Sequence, residues 1–297
     1  MGSYRRRRIL AIAVVVAILA VSMLGASTVG IDSIGPLDSG TGMEGSEAAA
    51  SATGAPATLG PPDWPEQPLS PEAVPGRHDV PNTTQYPYAT IGTVRSATGV
   101  LVSEYHVLTA AHVVTNQQGE PYDPDTMTFT PGFRDAPGEP AVAPFGRANV
   151  TEIHVHPEWN GDPPVDDLAL LVLDRPVGTD AGTMAIPDSA LGDVHTRSLF
   201  QAGYVHNVTG WRQIGSNPAP QPSAVGTDDG YHYYCGPLSN GDSGSPIWTD
   251  VDGRATLLSI NSAFDSSEDC SNAAVGVRLN EQRLDRIRAW MNQDETD

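Results

Sequence analysis

The chain has 297 residues with 16 basic and 36 acidic side chains, a formal charge of −20, and every one of its cations is an arginine. That balance argues against nucleic-acid binding, which depends on basic patches that neutralise phosphates. Thirty glycines and 26 prolines point to many turns rather than long helices, and no coiled-coil or collagen period is present.

Residues 5–8 are all arginine, and residues 9–24 are apolar except for Ser22. This is the pattern of an export signal or a membrane anchor, with the arginines on the cytoplasmic side. A full span needs about 20 apolar residues, so length does not separate the two, although Gly25, Ala26 and Ser27 offer a cleavage site. Residues 1–26 are assigned to this segment.

Residues 27–79 hold eight prolines, eight glycines and one aromatic residue, Trp64. Such a stretch buries too little apolar surface to offset its ordering entropy and is expected to be a disordered linker or propeptide. Arg77, the only basic residue between Arg8 and Arg95, is either a processing point or a simple surface charge.

Residues 80–297 form the expected folded domain. Short apolar or alternating runs at 88–94, 99–102, 127–130, 148–156, 168–173, 198–204, 246–248 and 255–260 are separated by Gly, Pro, Asn or Asp clusters. That spacing predicts an all-β antiparallel sandwich or barrel pair. Only 281–293 departs, where Leu284, Ile287, Trp290 and Met291 recur at helical spacing and predict a C-terminal α-helix with one apolar face. No glycine-rich phosphate loop, CxxC pair or repeat is present. His154 and His156 would share one face of a strand, but no third ligand follows, so no metal and no cofactor is expected.

Three segments carry chemistry. Thr109-Ala110-Ala111-His112-Val113 sets a histidine just past an apolar run, where small alanines permit close backbone packing. Asp166-Asp167-Leu168-Ala169-Leu170-Leu171 sets carboxylates at the mouth of an apolar strand, where a buried acid needs a partner. Gly241-Asp242-Ser243-Gly244-Ser245-Pro246 flanks a serine with glycines, which allow a tight turn that exposes the hydroxyl. The order His, Asp, Ser is the chymotrypsin order and not the α/β-hydrolase order, which disfavours a secreted esterase on that fold.

These segments together resemble the three signatures of the chymotrypsin-fold, trypsin-like serine endopeptidases. The chain is similar to the bacterial glutamyl-endopeptidase-like branch in further places: Asn82-Thr83-Thr84, Tyr86-Pro87-Tyr88, Val155-His156-Pro157-Glu158 and Val275-Gly276-Val277-Arg278. The resemblance implies two antiparallel six-stranded β-barrels with a C-terminal α-helix and a site in the cleft between them. It implies His112 as general base, Asp167 as its orienting carboxylate, Ser243 as nucleophile, and the N–H groups of Gly241 and Ser243 as oxyanion hole. Pro237, Leu238, Asn261 and Ser262 would line the pocket for the substrate side chain. Leu238 and Asn261 stand where that branch has a threonine and a histidine, so a neutral substrate residue is expected rather than glutamate.

Asp242 resembles the acid that, in the trypsin branch, pairs with a new N-terminus after zymogen cleavage. Processing between about 70 and 80 would supply such an amine, although no Ile-Val-Gly-Gly start is present. Cys235 and Cys270 bracket Ser243 and are expected to pair as a disulfide in an exported protein. The expected function is that of an exported monomeric peptidase, secreted or tethered through the N-terminal apolar segment, acting on protein or peptide substrates through an acyl-enzyme. The alternative is a catalytically silent binding module of the same fold.

Overall fold

The structure is a computed structural model that describes residues 77–135, 139–164, 166–192, 197–207, 210–216, 227–228, 230–235, 239–267 and 270–294. The expected export segment and nearly all of the expected linker lie outside these residues, as do Pro237 and Leu238. Among the described residues no helix is long and apolar enough to cross a membrane.

In chain order the strands are β1 (Arg77–Asp79), β2 (Ile91–Val94), β3 (Ala97–Leu101), β4 (His106–Thr109), β5 (Thr128–Pro131), β6 (Ala148–Val155) and β7 (Ala169–Leu173). They continue as β8 (Phe200–Asn207), β9 (Gly210–Ser216), β10 (Thr227–Asp228), β11 (Tyr231–Cys235), β12 (Pro246–Val251), β13 (Arg254–Ser267) and β14 (Cys270–Arg278). Short helices α1 (Ala111–Val114) and α2 (Val177–Ala181) interrupt the strands, and α3 (Glu281–Asp294) ends the fold.

Six strands close into a barrel in the order β2-β3-β4-β7-β6-β5, and the rest form an eight-stranded sheet in the order β1-β9-β8-β12-β13-β14-β11-β10. Six strands were expected in this second layer; the two added at its edges are the three-residue β1 and the two-residue β10. All ladder pairings are antiparallel, as the alternating pattern predicts.

One core cluster runs from Ile91, Leu101, Leu108, Phe129 and Leu170 in the barrel to Trp248 and Ile260 in the second sheet. It also takes in Leu284, Ile287 and Trp290 of α3, the face expected of that helix. The side-chain amide oxygen of Asn280 accepts the N–H of Arg283 (3.0 Å) and caps the helix start.

Register explains how distant residues converge. In β4 and β7, Thr109 stands opposite Ala169, so His112, three residues past one strand, and Asp167, two residues before the other, emerge at the same barrel end. In β12 and β13, Pro246 stands opposite Ile260. Ser243, three residues before β12, therefore lies beside the stretch of β13 that follows Ile260. A bulge between Asn261 and Ala263 re-aims the side chains of that stretch.

The side chains of Cys235 and Cys270 lie outside the described residues. On the backbone, Cys235 of β11 stands opposite Ala273 of the neighbouring β14. Cys270 is three residues further along that strand.

Candidate active site

His112 sits in the single turn of α1, entered through Ala110 and Ala111, both fully buried. Alanines at these two places let the turn lie against the barrel end without displacing it. The His112 ring is partly open to solvent, with 30% of its side chain exposed, whereas Asp167 is fully buried. Asp167 meets His112 twice: the ring Nδ1 lies 2.7 Å from Oδ2, and the backbone N–H donates to Oδ1 at 2.8 Å. The Ser262 hydroxyl donates to Oδ2 as well, at 2.5 Å. A buried carboxylate without water must find such donors within the protein.

The electrostatics follow. Burial disfavours a charge on His112, but the Asp167 carboxylate and its hydrogen bond raise the imidazole pKa above its ordinary value. Burial likewise disfavours ionised Asp167, but the charge and hydrogen bonds of His112, together with the Ser262 hydroxyl, hold its pKa below the ordinary value.

Ser243 is half-buried in a turn held on both sides. Its carbonyl accepts the N–H of Thr98 (2.9 Å), and the Gly244 N–H donates to the Asn261 carbonyl (2.8 Å). Gly241 and Gly244 have φ of 102° and 79°, left-handed values suited to glycine. A Cβ at 244 would overlap the Thr98 carbonyl and the Thr109 hydroxyl, so glycine is what lets this turn press against the strands leading to His112. The N–H of Asp242 is engaged by Ser239 and that of Gly244 by Asn261. The N–H groups of Gly241 and Ser243 have no acceptor among the described residues. Ser243 Oγ forms no hydrogen bond to His112 here; such contacts often tighten only in the substrate complex.

Two expected pocket residues have partners within the protein. The Asn261 amide is buried, its Nδ2 donating to the Asp242 carbonyl (3.1 Å) and its Oδ1 accepting the Tyr234 hydroxyl (2.8 Å). The Ser262 hydroxyl faces Asp167 rather than a substrate side chain. Asp242 is also buried, its Oδ2 accepting the Ser239 N–H at 2.7 Å.

His154 stacks on Trp290 (5.9 Å, 12°), and His156 approaches Asp166 (Nδ1 to Oδ1, 3.8 Å). No group of three or more His, Cys, Asp or Glu side chains among the described residues could hold a metal ion.

The family model described as Trypsin matches residues 75–287. The chain belongs to the trypsin family. It is a serine endopeptidase, and the trypsin-family region contains every described strand. No curated protein matches the chain. Among solved structures, it is similar to a Glu endopeptidase solved in complex with MPD, with 21% identity, a TM-score of 0.57, and coverage of 72% of this chain and 95% of that one. At this identity the likeness shows the chymotrypsin fold.

Sequence reasoning missed two contributors to the site: the Ser262 hydroxyl on Asp167 and Thr98 beneath the serine turn. The β-branched polar Thr98 inside an apolar strand was a readable signal, because a buried hydroxyl needs partners. The Ser262 contact depends on the bulge in β13.

Proposed function

We propose that this is an exported serine endopeptidase in which Ser243, His112 and Asp167 form the catalytic triad. The observation that carries the reading is the paired contact of buried Asp167 with the ring and backbone of partly open His112. Neutral His112 accepts the Ser243 proton as the hydroxyl oxygen attacks the scissile carbonyl, and Asp167 fixes the ring tautomer and stabilises the imidazolium. The oxyanion that forms is received by the N–H groups of Gly241 and Ser243, whose lack of other acceptors among the described residues suits that role. Imidazolium then protonates the leaving amine, and water hydrolyses the acyl-enzyme by the reverse proton path.

The substrate residue before the scissile bond is proposed to be neutral. A solved structure similar to this chain is a Glu endopeptidase, but here the Asn261 amide is neutral and buried, with its Nδ2 donating to the Asp242 carbonyl and its Oδ1 accepting the Tyr234 hydroxyl. A substrate carboxylate would gain no strong donor from it. Peptide-library profiling with a preference for Glu or Asp would overturn this.

Export places the cysteines in an oxidising compartment, which favours a Cys235–Cys270 bridge. Their backbone positions are three residues out of register, about 10 Å along neighbouring strands, and a disulfide needs Cα atoms within about 7 Å. The strand ends must therefore bend together, and two free thiols on denaturing titration would exclude the bridge. Activation by a new N-terminus at Asp242 has a competitor in the Ser239 N–H; full activity of uncleaved protein, verified by intact mass, would exclude it.

The triad is tested by treating the purified secreted form with a fluorophosphonate probe. An adduct on Ser243 that disappears in His112→Ala supports it; an unlabelled protein would instead be a silent binding module. Casein hydrolysis separates a peptidase from an esterase.

A further inference from the structure

Arg283 is a buried cation in the first turn of α3. A positive charge there opposes the helix dipole, and burying it costs free energy unless it is paired, so helix stability does not account for it. Its partners do. Nε and Nη2 donate to Asp166 Oδ1 at 3.0 and 2.7 Å, and Nη1 donates to the carbonyls of Gly230 (2.5 Å) and Arg278 (2.9 Å). The guanidinium also lies 5.2 Å from the centroid of the Tyr231 ring, whose hydroxyl accepts the Asp166 N–H at 3.4 Å. A Cβ at Gly230 would meet the guanidinium at 2.7 Å.

Asp166 directly precedes Asp167 and has φ of 48°, a left-handed conformation uncommon for non-glycine residues, which Asp and Asn adopt more readily than Ala. Its carbonyl accepts the Leu168 N–H at 2.8 Å, closing a tight turn around Asp167. The direction in which the Asp167 carboxylate leaves the backbone is set by this turn.

We infer that Arg283 is a positioning residue for Asp167: by clamping Asp166 it holds the left-handed turn that presents the Asp167 carboxylate to His112. The C-terminal helix thereby joins the active site without touching substrate. The inference rests on the proposed triad for its kinetic consequences, but the geometry of the Asp167–His112 contact can be read without turnover.

The other charged groups around the clamp are His156, Arg286 and Glu158. Burial lowers the His156 pKa, Asp166 works against this, and Arg283 and Arg286 reinforce it. Arg283→Gln removes one of the groups that lowers His156, so the His112 proton resonance, read beside the activity profile, assigns any shift to His112.

The experiment compares wild type with Arg283→Gln, Asp166→Asn, Asp166→Gly and Asp166→Ala in the full secreted chain. In Arg283→Gln, kcat/KM should fall at least tenfold through kcat, with KM within about twofold. Its acidic limb should move to lower pH, and the downfield proton resonance of His112 Nδ1 should broaden or move upfield. Asn tolerates the left-handed region and keeps an acceptor, Gly keeps only the conformation, and Ala keeps neither. Activity and resonance should fall in that order. A folded Arg283→Gln with unchanged resonance and kcat/KM within twofold overturns the inference, as does an Asp166→Ala variant equal to wild type. Should Arg283→Gln fail to fold, the Asp166 series decides alone. If wild type shows neither probe labelling nor proteolysis, the functional reading fails, and the resonance still tests the positioning.

Discussion

The Thr98 hydroxyl donates to the carbonyl of Gly241 at 2.8 Å, joining the closed barrel to the serine turn of the second sheet. The same oxygen accepts the N–H of Tyr204 (2.8 Å), and the Thr98 carbonyl accepts the Thr109 hydroxyl (2.7 Å). Thr98→Val keeps the shape and leaves two buried backbone groups unpaired, each costing about 1 to 3 kcal/mol. Chemical denaturation should show a loss of about 2 to 6 kcal/mol, and turnover should fall with it. A variant as stable as wild type would mean that water replaces the hydroxyl.

Gly244 is the second half of that junction. A side chain at this left-handed position would collide with the Thr98 carbonyl, which is backbone and cannot rotate away. Gly244→Ala should lose several kcal/mol, about 3 or more given the combined strain and overlap, with the serine turn displaced. Thermal melting and probe labelling measure the two effects separately; retained labelling at the wild-type rate would contradict the collision.

Much of this was legible in the sequence. The runs that became β7 and β12 are apolar because both faces are covered, and the helical spacing at 284, 287 and 290 survives because α3 lies on the core. By contrast, β9, β11 and β14 are rich in Gly, Ser, Asn and Tyr and are not among the apolar runs; pairing with neighbouring strands, rather than local preference, makes them strands. At the site, the contact of His112 with Asp167 follows from strand register. The Ser262 orientation does not, because the β13 bulge breaks the alternation that would place it.

Ser262→Ala removes a hydrogen bond to an ionised, fully buried acid. Bonds to charged groups contribute about 1.5 to 3 kcal/mol, so the variant should be less stable by about that much near neutral pH. The deficit should shrink as acid protonates Asp167. Denaturation at pH 7 and in acid tests this, and an equal deficit at both would show that the loss is packing alone.

The shifted pair fixes the sign of the pH dependence. His112 is raised above its ordinary 6.5, so its contribution to stability is complete below 6.5 and disappears as pH rises through the folded value. Asp167 is depressed below 3.8, so its contribution is present above 3.8 and disappears as pH falls through its folded value. The stability lost in His112→Gln should therefore be largest between these ordinary values and decline in mild alkali. Turnover needs neutral His112, so the acidic limb of kcat/KM should lie above 6.5 in wild type and move down in Asp167→Asn. A limb that stays in place would separate Asp167 from the titration.

Residues 80–297 carry eleven arginines and 28 acids, a net of −17, so the acidity resides in the protease domain itself. Several arginines bind backbone carbonyls: Arg175 those of Arg147 and Phe145, Arg278 that of Leu191, and Arg288 those of Pro187 and Asp188. Of these, Arg288 also meets an acid, Asp285, at 3.4 Å, but eleven arginines cannot offset 28 acids, and self-repulsion of the uncompensated charge destabilises the compact state. Salt shortens the screening length from about 30 Å at 0.01 M to about 3 Å at 1 M. Melting temperature should therefore climb as NaCl is raised over that range, by about 2 to 4 °C for each kcal/mol of repulsion relieved. A protein equally stable at low and multimolar salt would show that this self-repulsion does not limit its stability.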